Sequence, residues 1–151
     1  MGNRFIYGSS INLKFNFSRF LYFESNLTYT DADKSEKYGP MPSILPFFGF
    51  SKLEVTFPKL KFSLMNEFSS SKKPKDYSFG GEDGIEETPF ENETNSNGIP
   101  SKKYYGSPKW SVFSFKSNYY INDNFSVNFG LENIFDLNYR KFASGLSLIH
   151  I

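Results

Sequence analysis

The chain reads as all-β: an antiparallel up-and-down array of about six strands, forming a fragment of a transmembrane β-barrel. Three observations predict it. Apolar and polar residues alternate with a period of two wherever structure is expected, as in Phe125-Ser-Val127-Asn-Phe129-Gly-Leu131. Short and long links between these runs alternate without exception. Charges gather on one side of the alternation and leave the other nearly bare.

The elements follow in order. Ile11, Leu13, Phe15 and Phe17 alternate with Asn12, Lys14 and Asn16, giving a strand over roughly 4–18. Ser18-Arg19 is a tight link. Leu21, Phe23, Leu27 and Tyr29 alternate with Tyr22, Glu24, Asn26 and Thr28, over roughly 20–34. A long link with three prolines runs from Asp31 to Pro46. Leu53, Val55 and Phe57 alternate with Lys52, Glu54 and Thr56, over roughly 47–57. Pro58-Lys59 is tight, and Leu60, Phe62, Leu64 and Phe68 then alternate with Lys61, Ser63, Met65 and Glu67, over roughly 60–72. The longest link, Lys73 to Pro108, is rich in Gly, Ser, Asn and Glu. Phe113, Phe115, Tyr119 and Ile121 lie in a strand over roughly 109–121, and the last strand covers roughly 124–135. Between them, Asn122-Asp123-Asn124 tolerates left-handed backbone.

A barrel that keeps its short turns in the periplasm and its long loops outside produces this rhythm. A Greek-key sandwich is not expected to keep it so regularly. The polar side carries Lys14, Glu24, Lys52, Glu54, Lys61, Glu67 and Lys116. A dry core would not hold these charges, since unpaired burial costs several kcal/mol each. A water-filled or plugged lumen would. The bare side suits lipid, where a mid-bilayer charge costs about 2–4 kcal/mol.

Composition agrees. Aromatics make up 20%, with 19 Phe, 10 Tyr and one Trp, while only 38% of residues are hydrophobic. Strands with one apolar and one polar face, plus interfacial aromatic girdles, reconcile the two figures. The net charge of +1 gives no field to attract nucleic acid. The absence of Cys excludes disulfides and thiolate metal sites. No run of about 18 apolar residues forms a membrane helix. Met1 is not followed by a signal-peptide pattern, so Met1 is expected to be internal to a longer protein if the chain is exported.

The segment Gly130-Leu-Glu-Asn-Ile-Phe-Asp-Leu-Asn-Tyr-Arg-Lys-Phe-Ala-Ser-Gly145 resembles the signature near the C-terminus of TonB-dependent outer-membrane receptors. Leu27-Thr-Tyr-Thr30 and Tyr38-Gly-Pro-Met-Pro-Ser-Ile-Leu-Pro-Phe-Phe-Gly49 are similar to a strand and a loop exit of that family. So is Tyr77-Ser-Phe-Gly-Gly-Glu-Asp83 with Thr88-Pro89, in the manner of receptors from Bacteroidetes-like bacteria. Lys109-Trp110-Ser resembles a strand opening, and Tyr7-Gly8 a strand entry, although Ser10 stands where an acidic residue is usual. The resemblance is collinear over residues 1–145.

The resemblance implies an active, TonB-energised transporter for a scarce ligand (siderophore, haem, cobalamin or glycan) in the bacterial outer membrane. Its partners would be outer-membrane lipid, the rest of its own barrel of about 22 strands, a plug domain and, through the plug, the TonB complex. No cofactor and no catalysis are implied. The chain is then expected to be truncated at both ends. Residues 146–151, Leu-Ser-Leu-Ile-His-Ile, match the translation of a sequencing-library adaptor and are expected to be non-native. Two other readings compete: a soluble β-sandwich or adhesin-like binding module, and a passive porin-like barrel.

Candidate sites are few. His150 is the one histidine and falls in the tail expected to be non-native; without it there is no Ser-His-Asp arrangement and no His-based zinc site. In the motif, Glu132, Asn133, Asp136, Tyr139 and Arg140 are expected to be structural: Glu132 on the lumen side, Asn133 and Asp136 at a bend, and Tyr139-Arg140 anchoring the loop. Tyr77, Glu82, Asp83, Tyr104 and Tyr105 are candidates for a ligand-facing loop. Glu82, Asp83, Glu86, Glu87, Glu91 and Glu93 could hold Ca²⁺ or be ordinary solvated loop charge. Lys72, Lys73, Lys75, Lys102 and Lys103 could face anionic headgroups or an anionic chelate, or simply solubilise the loop. Tyr104, Tyr105 and Trp110 fit an interfacial girdle or a stacking surface.

Overall fold

The computed structural model describes residues 4–37, 39–45, 47–80 and 82–141. The expectations for Tyr38, Gly81, Gly145, His150 and the 146–151 tail lie outside these residues. Among them the chain is all-β, with no α-helix. Six strands form one antiparallel sheet: β1 (Ile6–Asn16), β2 (Leu21–Ala32), β3 (Phe47–Thr56), β4 (Leu60–Ser69), β7 (Trp110–Asn122) and β8 (Phe125–Leu131). Their spatial order is their chain order, β1-β2-β3-β4-β7-β8. The sheet is open, with β1 and β8 as its edges.

Two further strands, β5 (Phe90–Thr94) and β6 (Pro100–Tyr104), form a separate hairpin inside the long link between β4 and β7. The sequence pattern does not predict them. Short 3-10 turns at Pro74–Asp76 and Ile85–Glu87 precede the hairpin.

Local chemistry closes the tight turns. The Ser18 hydroxyl accepts the amides of Phe20 and Leu21 at 3.1 and 3.2 Å. Phe57 and Leu60 exchange backbone bonds around Pro58-Lys59, at 2.7 and 3.3 Å. Asn122 Oδ1 accepts the amides of Asn124 and Phe125 at 2.9 and 3.0 Å, an Asx turn that also absorbs the irregular register between Tyr120 and Asn122. These three turns lie at one end of the sheet. The long links and the segment after β8 lie at the other.

The register lines up one apolar row across every strand: Phe15, Phe23, Leu53, Leu64, Phe115 and Leu131. Its neighbours on that face include Ile11, Leu13, Val55, Phe62, Phe113 and Phe129, and Asp31 at the loop end is the one charge among strand residues there. Ser25, Ser51 and Asn66 also fall on this face, where the apolar alternation skips a step. They satisfy one another and the backbone. Ser25 Oγ lies 2.9 Å from Ser51 Oγ and donates to the Phe50 carbonyl at 3.0 Å, while Asn66 Nδ2 donates to Ser111 Oγ at 2.7 Å.

The opposite face carries the ion pairs Lys14–Glu24 (3.4 Å), Lys52–Glu54 (2.9 Å) and Lys61–Glu54 (2.8 Å). Among the described residues no second sheet packs on either face. Among the described residues the buried apolar side chains are only Ala32, Tyr77 and Val112. By contrast, Ile11 is 54% exposed, Phe15 48% and Phe129 54%.

Candidate functional site

The polar face and the loop end together hold the chemistry. After β8 the chain does not leave the sheet. Leu131 pairs with Phe115 on the apolar face, so Glu132 projects to the polar face, 3.8 Å from Lys116. Asn133 and Asp136 then adopt left-handed backbone, with φ of 51° and 49°. Asn133 closes this bend with its side chain, accepting from Leu137 N at 3.0 Å and donating to the Leu137 carbonyl at 3.1 Å. The turned segment comes back over the polar face. Tyr139 packs on Trp110 at 4.7 Å between ring centroids, Arg140 pairs with Glu87, and Lys141 reaches Glu67 at 3.4 Å. Beneath it lies a cavity of about 540 Å³, lined by Lys52, Glu67, Val112, Lys116, Glu132, Tyr139 and Lys141 among others. Three lysines, Lys52, Lys116 and Lys141, and two carboxylates, Glu67 and Glu132, share its wall with the apolar side chains of Val112 and Met65. Such a lining suits a polar occupant carrying both signs of charge.

Trp110 is corrected by the register. It pairs with Ser69 and shares the face of Val112, Ser114 and Lys116. It therefore points toward the cavity side and Tyr139, and it cannot belong to an aromatic girdle on the apolar face.

The proposed ligand-facing loop residues divide. Tyr77 and Asp83 are 3% and 5% exposed, so neither presents its side chain to a ligand in this conformation. Asp83 Oδ2 accepts from Lys72 Nζ at 2.8 Å and from Ser78 N at 3.2 Å, and its Oδ1 accepts from Ser43 N at 2.6 Å. Tyr77 shares a 2.6 Å hydrogen bond with Ser107 Oγ and accepts from Ser107 N at 3.0 Å. Burial raises the Tyr77 hydroxyl above its ordinary value of 10.0. Glu82 is exposed, and a 2.6 Å bond from the Ser78 hydroxyl lowers its carboxyl. Tyr104 is half-buried against Phe90, with ring centroids 5.8 Å apart. Tyr105 is exposed, and its hydroxyl is raised by a hydrogen bond to Glu91.

Lys72, grouped by sequence with solubilising lysines, is the most buried large side chain described, at 1% exposure. The acidic cluster is dispersed in the same way. Asp83 turns inward, Glu87 goes to Arg140 and Glu93 goes to Lys103 at 3.1 Å, which raises the Lys103 ammonium. Among the described residues no three acidic or imidazole side chains come together as a metal site. No family model matches the chain, and no curated protein or solved structure does.

Proposed function

We propose that the chain is part of the wall of an outer-membrane β-barrel of the TonB-dependent receptor kind, contributing loops and lumen surface to the energised uptake of a scarce ligand. The observation that carries this is the exposed apolar face. A six-stranded row of Phe and Leu side chains, free of charge away from the loop end, has no second sheet over it among the described residues. Soluble monomers rarely expose contiguous apolar surface beyond a few hundred Å². Lipid is a solvent in which such a face is at rest. No described helix is long and apolar enough to cross a membrane, so the membrane reading rests on strands. The motif and loop resemblances supply the transporter class, and the mixed-charge cavity on the polar face suits a lumen rather than lipid.

Spin labels test the assignment of faces. The chain is reconstituted in lipid vesicles with labels at Phe15, Leu53, Leu64 or Phe115, and separately at Lys52 or Lys116. The first set should be reached by dissolved oxygen and shielded from an aqueous paramagnetic reagent, and the second set should show the reverse. Labels on the apolar face reached by neither reagent would indicate a dry sandwich core and overturn the proposal.

A further inference from the structure

The long connections at the loop end are tied through a single buried carboxylate. Asp83 takes the Ser43 amide from the 33–46 link, and the Ser78 amide and the Lys72 ammonium from the 70–109 link. Both side chains of the Lys72–Asp83 pair are 1% exposed. The lysine is itself held in place. Its ammonium lies 5.1 Å from the centre of the Tyr77 ring, and its backbone exchanges two 3.0 Å bonds with Ser107. Gly106, at φ 76°, lets that backbone approach, since a Cβ there would run into the Lys72 carbonyl. Lys34 adds a second tie between the two links, to Asp76 at 2.5 Å. Four residues past Asp83, Glu87 takes Arg140 from the segment after β8.

We propose that Asp83 is the node of a buried clasp that makes the 33–46 and 70–109 links one mechanical unit, opening together or not at all. The physical reason is desolvation. A buried ion pair is tolerated only while every partner is in place, and losing one leaves an uncompensated charge. A partly open arrangement, with Ser43 or Tyr77 withdrawn and Lys72 still inside, is therefore disfavoured relative to both extremes. A ligand arriving at exposed residues such as Phe79 or Tyr105 would meet a preformed surface, and any ligand-driven motion would have to move both links. This holds whatever surrounds the sheet.

Amide hydrogen exchange on the refolded chain tests it at Ser43, Ser78 and Ser107. Asp83→Asn should accelerate all three by a common factor of at least about tenfold, with amides in β4 and β7 unchanged. Acceleration at Ser78 alone would overturn the proposal. Tyr77→Phe keeps the ring under Lys72, loses only the hydroxyl, and serves if Asp83→Asn does not assemble. It should speed Ser43 and Ser107 together, and an effect confined to Ser107 would show independent loops.

Discussion

Asn133 shows how a single side chain sets the path of the motif. Its left-handed φ of 51° is disfavoured for most residues, and its amide group closes two bonds to Leu137. Asn133→Ala loses both and should destabilise the folded chain by about 1–2 kcal/mol, read from chemical unfolding in detergent micelles. Asn133→Gly should recover part of that loss, because glycine restores the backbone but not the bonds. This bend was legible in the sequence, because Asn and Asp are the residues that tolerate it. The Lys72–Asp83 clasp was not. Both residues sit in charged, polar stretches, and nothing local separates a solvated lysine from a buried one. Only the convergence of Ser43, Ser78, Tyr77 and Ser107 around them does so.

At the scale of elements, the period of two translated directly into strands, because an alternating pattern fixes which face each side chain takes. Five of the six strands of the sheet lie within the expected ranges, with frayed ends trimmed at Ile6, Asn16 and Leu131, while β7 runs one residue further than expected, to Asn122. The skipped steps at Ser25 and Asn66 mark where the apolar face carries hydrogen-bonded polar groups. The β5–β6 hairpin leaves no such pattern in the sequence, for the opposite reason. All its residues but the half-buried Tyr104 are exposed, so no alternation is imposed on Phe90-Glu-Asn-Glu-Thr94 or Pro100-Ser-Lys-Lys-Tyr104. It is held instead by cross-strand pairs, Phe90 against Tyr104 and Glu93 against Lys103. The two faces of the main sheet differ in what they tolerate. Leu64→Arg should cost about 2–4 kcal/mol in a bilayer, while Ser63→Arg on the polar face should stay within about 0.5 kcal/mol. Equilibrium unfolding from lipid vesicles measures both, and equal costs would refute the assignment of faces.

For the molecule as a whole, the small buried set and the two free edges decide its behaviour in water. Among the described residues β1 and β8 each present an unpaired ladder, beside an apolar face with no second sheet over it. The isolated chain should aggregate in buffer and become monodisperse only with detergent or lipid, as size-exclusion chromatography with light scattering would show. A monodisperse, cooperatively folding product in buffer alone would count against a membrane wall.

The fastened loop end also bears on how the sheet can form in time. Most neighbouring strands meet across short links, but β4 and β7 are separated by residues 70–109. Closing so long a span is the main non-local step, and such steps slow folding even though the entropic cost grows only logarithmically with length. The β5–β6 hairpin and the Lys72–Ser107 bridge shorten the span from within. Once Lys72 and Ser107 have met, Trp110 is delivered beside Ser69, and pairing of β7 on β4 can proceed as a local zipper.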